Sequence, residues 1–235
     1  MTSAQAPAGL YVTGTDTGIG KTVVSCALLH ALRGIGWRAI GMKPVASGCE
    51  QIEGQWRNDD AIRLQAASAP QPAYADVNPY ALPLPLAPEL AARAAGVQVR
   101  LGPIEDAYAR LAACADAVVV EGVGGWAAPL SPALEQADLV RALQLPVVLV
   151  VGLRLGCLSH ARLTAQAIAA DGGRLIGWVG NAIDPDMAAA NEVHVLLQVR
   201  LPAPCWGILS HAPAPDPARL SRQLHVDALR AALRA

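Results

Sequence analysis

Lys21, Thr22, Lys43 and Glu121 are the side chains of this sequence best suited to holding a phosphate and its counter-cation. Each stands where an apolar run gives way to a glycine- or proline-containing turn. Lys21 and Thr22 close the stretch Gly14-Thr15-Asp16-Thr17-Gly18-Ile19-Gly20-Lys21-Thr22, which lies between the apolar run Leu10–Thr13 and a helix-compatible segment, Val23–Arg33. Strand, glycine-rich loop and helix in that order is the context a phosphate-binding loop requires. Backbone N–H groups of such a loop converge on one spot, and the helix dipole favours an anion there. Lys21 supplies a mobile positive charge for the outer phosphates and Thr22 a hydroxyl for magnesium. Counting back from Gly20 puts Thr15 where the strict pattern has its first glycine. Gly14 sits one position earlier, so the loop is longer by that residue. The competing assignment is an ordinary glycine-rich turn.

Lys43 precedes Pro44, which keeps it extended and out of a helix. With Ser47 it occupies the loop Lys43–Gly48. A lysine at a strand end facing a phosphate neutralises charge that develops during transfer; the alternative is a solvated lysine. Glu121 closes the run Ala117–Val120 and opens Gly122-Val123-Gly124-Gly125-Trp126. It suits a magnesium-associated acid, directly or through water, or else a capping or salt-bridged carboxylate. Asp60, in Arg57-Asn58-Asp59-Asp60, reads on its own as a first-turn acid of a short helix. Asn181 begins Asn181-Ala182-Ile183-Asp184, where a strand-end asparagine bonds an adenine edge or simply makes a turn. His160 has no second histidine at metal-binding spacing and reads as helix-start packing.

The elements that must position these groups follow from periodicity. Strands are expected at Leu10–Thr13, Arg38–Met42, Ala117–Val120, Pro146–Val151, Leu175–Val179 and Cys205–Leu209. Helices are expected at Val23–Arg33, Asp59–Ala67, Glu89–Ala95, Pro103–Cys114, Leu134–Leu143, His160–Ala170, Met187–Val199 and Pro217–Arg234. Ala69–Pro88, rich in proline, reads as irregular. Continuous rather than alternating apolar strands are covered on both faces. Their alternation with helices predicts an α/β fold of P-loop NTPase type, a doubly wound, mostly parallel sheet with helices on both faces. Ligands of such sheets bind beyond the carboxyl ends of the strands, where all these groups fall. With the second strand taken as neighbour of the first, Lys43 approaches the γ-phosphate from the substrate side. No repeat or linker divides residues 1–235, so one domain is expected.

Composition narrows the class. Apolar residues make up 53% of the 235, without phenylalanine, so alanine, leucine and valine must carry the core. A net charge of −1 offers no surplus for nucleic acid. No apolar run approaches bilayer length, and Met1–Gly9 lacks the basic and apolar blocks of a secretory signal. Five scattered cysteines form no disulfide framework, which fits a reducing cytoplasm.

Taken together, these segments resemble the dethiobiotin synthetase family. The likeness rests on Val12–Thr17 with Gly20-Lys21-Thr22, Lys43–Gly48, Arg57-Asn58 with Asp60, Val77-Asn78-Pro79-Tyr80, Val120-Glu121-Gly122 with Gly124-Gly125-Trp126, Leu155-Gly156-Cys157 with His160, and Gly177-Trp178-Val179 with Asn181. It implies that 7,8-diaminononanoate takes up carbon dioxide on one amine. ATP then phosphorylates the carbamate, and the second amine closes the cyclic urea of dethiobiotin. It implies that Lys43 is the catalytic lysine, aided by Lys21, with Thr17 and Ser47 placing carbamate or phosphate oxygens. Thr22, Asp60 and Glu121 would hold magnesium. Gly18, Ile19, Gly20, Lys21, Thr22 and Val23, with Asp60, Glu121, Gly122, Val123 and Gly124, would surround the nucleotide. Asn181, Ala182, Ser210, His211 and Ala212 would line the base pocket. It further implies a homodimer in which Gly152–His160, Ser159 included, completes the partner's substrate site beside Gly124. Three positions depart from relatives: Gly18 stands where some carry Glu, Ser159 where one has Asn, and Pro217 near the position where relatives place an acidic nucleotide contact, with Asp216 only its neighbour.

Two rivals share parts of this pattern. Partitioning or targeting ATPases place a signature lysine five residues before the loop lysine, where this chain has Asp16. Amidating synthetases of the cobyrinic acid type need an ammonia source, for which this length leaves no glutaminase domain.

Overall fold

The computed structural model describes residues 8–234; Met1–Pro7, with most of the N-terminal stretch considered above, and Ala235 lie outside the described residues. Six strands form the central sheet: β1 (Ala8–Gly14), β2 (Ala39–Met42), β3 (Ala117–Glu121), β4 (Val147–Leu153), β5 (Leu175–Ala182) and β6 (Cys205–Leu209). Their order is β6-β5-β4-β1-β3-β2, and every neighbouring pair is parallel. All residues of β3 and β4 are buried, which is why their sequences run apolar without alternation.

Seven helices matter for the site and its support: α1 (Lys21–Gly34), α2 (Asp59–Ala67), α3 (Leu101–Cys114), α4 (Gln136–Ala142), α5 (Cys157–Ala170), α6 (Ala190–Arg200) and α7 (Val226–Arg234). The strand period of two sends Leu10 and Val12 into one layer and Tyr11 into the other. The first layer packs Val24, Leu28 and Leu29 of α1, Ala61 and Leu64 of α2, and Leu229 of α7 against the sheet. The second takes Ile104 and Leu111 of α3 with Leu139 and Val140 of α4. α5 and α6 complete the covering over Leu149, Val151 and Trp178. Each Val or Leu enclosed in this way contributes about 1.5–3 kcal/mol relative to exposure. Without phenylalanine, the largest enclosed side chains are Trp178, Trp206 and Tyr11.

The structure corrects four local expectations. β2 does not neighbour β1: β3 lies between them. Four-residue β2 takes the sheet edge, and the longer β3 lies inside it, paired with both β1 and β2. The loop Lys43–Gly48 contains a short strand, Val45–Ser47, paired in parallel with Tyr80–Leu82 from the supposedly irregular segment. Three residues between prolines are too few to display a period. The helix expected from Leu134 begins at Gln136, because Glu135 N–H bonds Asp138 at 2.9 Å and Leu134–Glu135 pairs with Pro129–Ser131. The expected helix Pro217–Arg234 is broken after Leu220 by a 3₁₀ turn, and α7 starts at Val226. There the His225 N–H bonds the Trp206 carbonyl of β6 at 2.7 Å, a tertiary bond that displaces a local one.

Candidate active site

A cleft of about 350 Å³ opens beyond the carboxyl ends of β1, β2 and β3. It is lined by Thr17, Gly18, Gly20, Lys21, Thr22, Val23, Lys43, Ser47, Asn58, Asp60, Arg63, Glu121, Val123 and Gly124. The loop from β1 into α1 forms its base. Gly18 and Gly20 have φ of 72° and 82°, the left-handed region that glycine enters without a Cβ penalty. A Cβ on Gly20 would also run into the Asn181 amide. That amide donates to the Ile19 carbonyl at 2.8 Å, and the Ile19 side chain is sunk in the core. Asp16 tightens the other half. Its carboxylate accepts from the Thr17 N–H at 2.7 Å and from Arg154 at 2.5 Å, while its carbonyl accepts from Lys21 Nζ at 2.9 Å.

Register explains the next feature. Met42 of β2 pairs with Val120 of β3, so Lys43 and Glu121 leave the sheet side by side. Lys43 Nζ bonds Glu121 Oε1 at 2.6 Å and Asp60 Oδ2 at 3.1 Å, and lies 3.4 Å from the Gly122 carbonyl. Thr22 Oγ1 donates to the same Glu121 oxygen at 2.9 Å. Glu121 is wholly buried, and among the described residues its Oε2 has no hydrogen-bond partner. Asn58 caps α2 by accepting from the Ala61 N–H at 3.3 Å, and its amide reaches the Ser47 carbonyl at 3.4 Å. That cap holds Asp60, in the first turn, towards Lys43.

Charge states follow from these contacts. Burial disfavours the Lys43 ammonium, but Glu121 and Asp60 outweigh it and hold its pKa above the ordinary lysine value. Burial likewise opposes Asp60 ionisation, yet Lys43 keeps its pKa below the usual carboxylate range. For Lys21 the balance falls the other way: burial first, and repulsion from Lys43 second, outweigh Glu121, Asp60 and Asp16 and bring it down to about 8.

Most of the expected residues are thus gathered in one place. Two backbone-adjacent ones, Ile19 and Gly122, support the cleft rather than face it. Asn181 and Ala182 meet the segment after β6, where His211 Nδ1 lies 3.2 Å from the Ala182 carbonyl. Ser210 is held by Gln223 through bonds of 2.8 and 3.0 Å, and Ala212 is half-buried beside them. These five residues form a second locus behind the phosphate loop and are not among those lining the cleft. Ser159 is exposed in the first turn of α5 and also stands outside it. Sequence reasoning missed Arg63, and named Asn58 and Arg154 only as members of the segments Arg57-Asn58 and Gly152–His160, with no role in this cleft. Arg63 lies on the Asp60 face of α2 by its three-residue spacing, a signal that was readable. No local signal marks Arg154. Thr22, Val23 and Arg63 also line a second groove of about 340 Å³, with Cys26, His30, Ala66, Ala67, Pro215 and Pro217.

A parallel sheet whose central strand feeds a glycine-rich loop and helix, with lysines and carboxylates at the adjoining strand ends, defines a P-loop protein built to act on a nucleotide phosphate. Solved structures share the fold: the MinD cell division protein of Aquifex aeolicus, at a TM-score of 0.57 and 15% identity over 95% of this chain and 96% of that one, and the signal recognition particle receptor FtsY of Elizabethkingia anophelis, at 0.54 and 15% over 98% and 66%. A family model described as an AAA domain matches residues 8–219. The ATP-dependent dethiobiotin synthetase BioD of Xanthomonas oryzae pv. oryzae (strain PXO99A) is 63% identical over 94% of this chain and 98% of its own length. That of Xylella fastidiosa (strain 9a5c) is 63% identical over 92% and 96%. The chain belongs to the ATP-dependent dethiobiotin synthetase family.

Proposed function

We propose that the cleft joins 7,8-diaminononanoate, carbon dioxide and ATP, with residues 1–235 acting as one synthetase domain. The activity is the family's, ATP-dependent formation of dethiobiotin in biotin biosynthesis, and the partitioning-type ATPase alternative is not favoured. The observation that carries the residue assignment is the convergence of Lys43 Nζ and Thr22 Oγ1 on one oxygen of Glu121, with Asp60 alongside. A carbamate and a γ-phosphate are both anions, and their approach needs positive charge in a small enclosed space. Lys21 holds the outer phosphates from the loop side. Lys43 faces the point where carbamate oxygen and phosphorus meet. Thr17 and Ser47 orient the oxygens, and Gly124 leaves room for the diamine. Asn181, Ala182 and Ser210–Ala212 hold the base.

Magnesium fits this donor set. Thr22, Asp60 and Glu121 offer hydroxyl and carboxylate oxygens, the hard ligands that ion takes, and Glu121 Oε2 is buried with no hydrogen-bond partner among the described residues. When bound, the ion would offset phosphate charge. We assign the substrate contact of Ser159 to the partner's site in a two-fold dimer. Supporting that, two leucines of this region are exposed, Leu155 at 94% in the loop before α5 and Leu163 at 61% on α5 itself. No helix among the described residues is long and apolar enough to cross a membrane; we place the enzyme in the cytoplasm, in keeping with its cysteines being unpaired. The test is phosphate release and dethiobiotin formation with magnesium-ATP, bicarbonate and diamine. Release that does not depend on the diamine would sink this reading.

A further inference from the structure

We propose that the Lys43 ammonium and the divalent cation are rivals for the same carboxylate oxygens, so that Lys43 keeps free metal out until phosphate oxygens give its ammonium another anion to hold. This rests on the assignment of Thr22, Asp60 and Glu121 to the cation. The ammonium spans two carboxylates from separate elements, Glu121 at the end of β3 and Asp60 on α2, at 2.6 and 3.1 Å. Those are the two acids the cation would need. Thr22, the third donor, also directs its hydroxyl at Glu121 Oε1. The Glu121 end is enclosed, with Lys43 4% exposed and Glu121 0%, while the Asp60 side chain, 42% exposed, opens to the cleft. An ammonium and a divalent ion at such range repel, and most strongly at the buried Glu121 end.

Lys43 has a way out. Its side chain lines the cleft that also holds Lys21 and Thr22, and a four-carbon stem lets the ammonium swing without moving the backbone. A phosphate in the cleft would draw it off the carboxylates and leave oxygens for the metal. Whatever the phosphate adds to metal affinity by this route, the metal adds equally to phosphate affinity. Glu121 Oε2, with no hydrogen-bond partner among the described residues, gives the incoming ion a donor that Lys43 does not use.

The test measures Mn²⁺ binding to the full-length protein without nucleotide, by the loss of the free-ion paramagnetic resonance signal. Lys43→Gln keeps N–H donors but loses the charge. It should bind Mn²⁺ at least about tenfold more tightly than the parent, the scale of removing one close like charge. The gain should vanish in the Lys43→Gln, Glu121→Gln double variant. Equal affinity in parent and Lys43→Gln overturns the proposal. A Lys43→Gln chain that folds only with Mn²⁺ present meets the expectation, and one that stays unfolded at saturating Mn²⁺ overturns it. Mn²⁺-ATP binding to Glu121→Gln separates the two layers. If it is unchanged, the carboxylates are not the cation's ligands and the underlying assignment falls. If it weakens while Lys43→Gln gains nothing, only the rivalry falls.

Discussion

Lys43 and Glu121, separated by 78 positions in the chain, form a buried ion pair of 2.6 Å at the ends of adjacent strands. Removing one partner of such a pair leaves an enclosed charge without compensation, which costs about 3–5 kcal/mol. Lys43→Ala should therefore lower the urea midpoint as well as the rate. Its charge matters most as carbamate and phosphorus meet, so single-turnover phosphate release should fall at least about a hundredfold while ATP affinity stays within about tenfold. Collapsed affinity with a normal rate at saturation would make Lys43 a binding residue only.

Lys21 gives a pH dependence of defined sign. Its pKa is lowered to about 8, so the ammonium is present below that value and lost as pH rises through it. ATP affinity should decline above about pH 8, and Lys21→Arg, charged throughout, should flatten the decline. Folding responds the other way: between about 8 and the ordinary 10.5 the unfolded chain binds more protons, so this group adds stability as pH climbs. Calorimetric titration of ATP from pH 7 upwards checks the first point; an affinity independent of pH through 8, in the parent as in Lys21→Arg, would overturn the expected decline.

Gly20 and Asn181 should couple. Gly20→Ala forces a left-handed φ on a residue with a Cβ and pushes against the Asn181 amide. The backbone term alone is about 1–2 kcal/mol. Adding Asn181→Ala removes the obstacle, so the double variant should be more stable than additivity predicts. Urea melts of the four proteins provide the cycle, and strictly additive losses would show that the two do not press on each other.

Leu155→Glu tests assembly. If the exposed leucine sits at a two-fold interface, the charge should yield monomers by light scattering and reduce diamine turnover while ATP binding persists. A variant that remains dimeric with full turnover would place the interface elsewhere.

Much of this protein could be read from residue order. Lys21 and Thr22 announced their loop because strand, glycines and helix are contiguous, and the continuous apolar runs Ala117–Val120 of β3 and Val147–Val151 of β4 declared a parallel sheet because burial on both faces erases alternation. Asp59–Ala67 was legible as a helix, down to its bounds, from its own composition. Short pieces such as Val45–Ser47 were not, since three residues carry no period and their partner, Tyr80–Leu82, lies far along the chain.

The tertiary structure alone decided which strand lies beside which. Sequence order suggested β2 next to β1, but β3 enters between them, and that insertion brings Lys43 against Glu121. It decided, too, that Arg154 braces Asp16 across 138 positions and that Asn181 holds the loop through Ile19. Local patterns report on neighbours in the chain, because propensity, capping and periodicity act over a few residues. Strand order and side-chain pairing are set by how whole layers pack, and only the folded chain contains them.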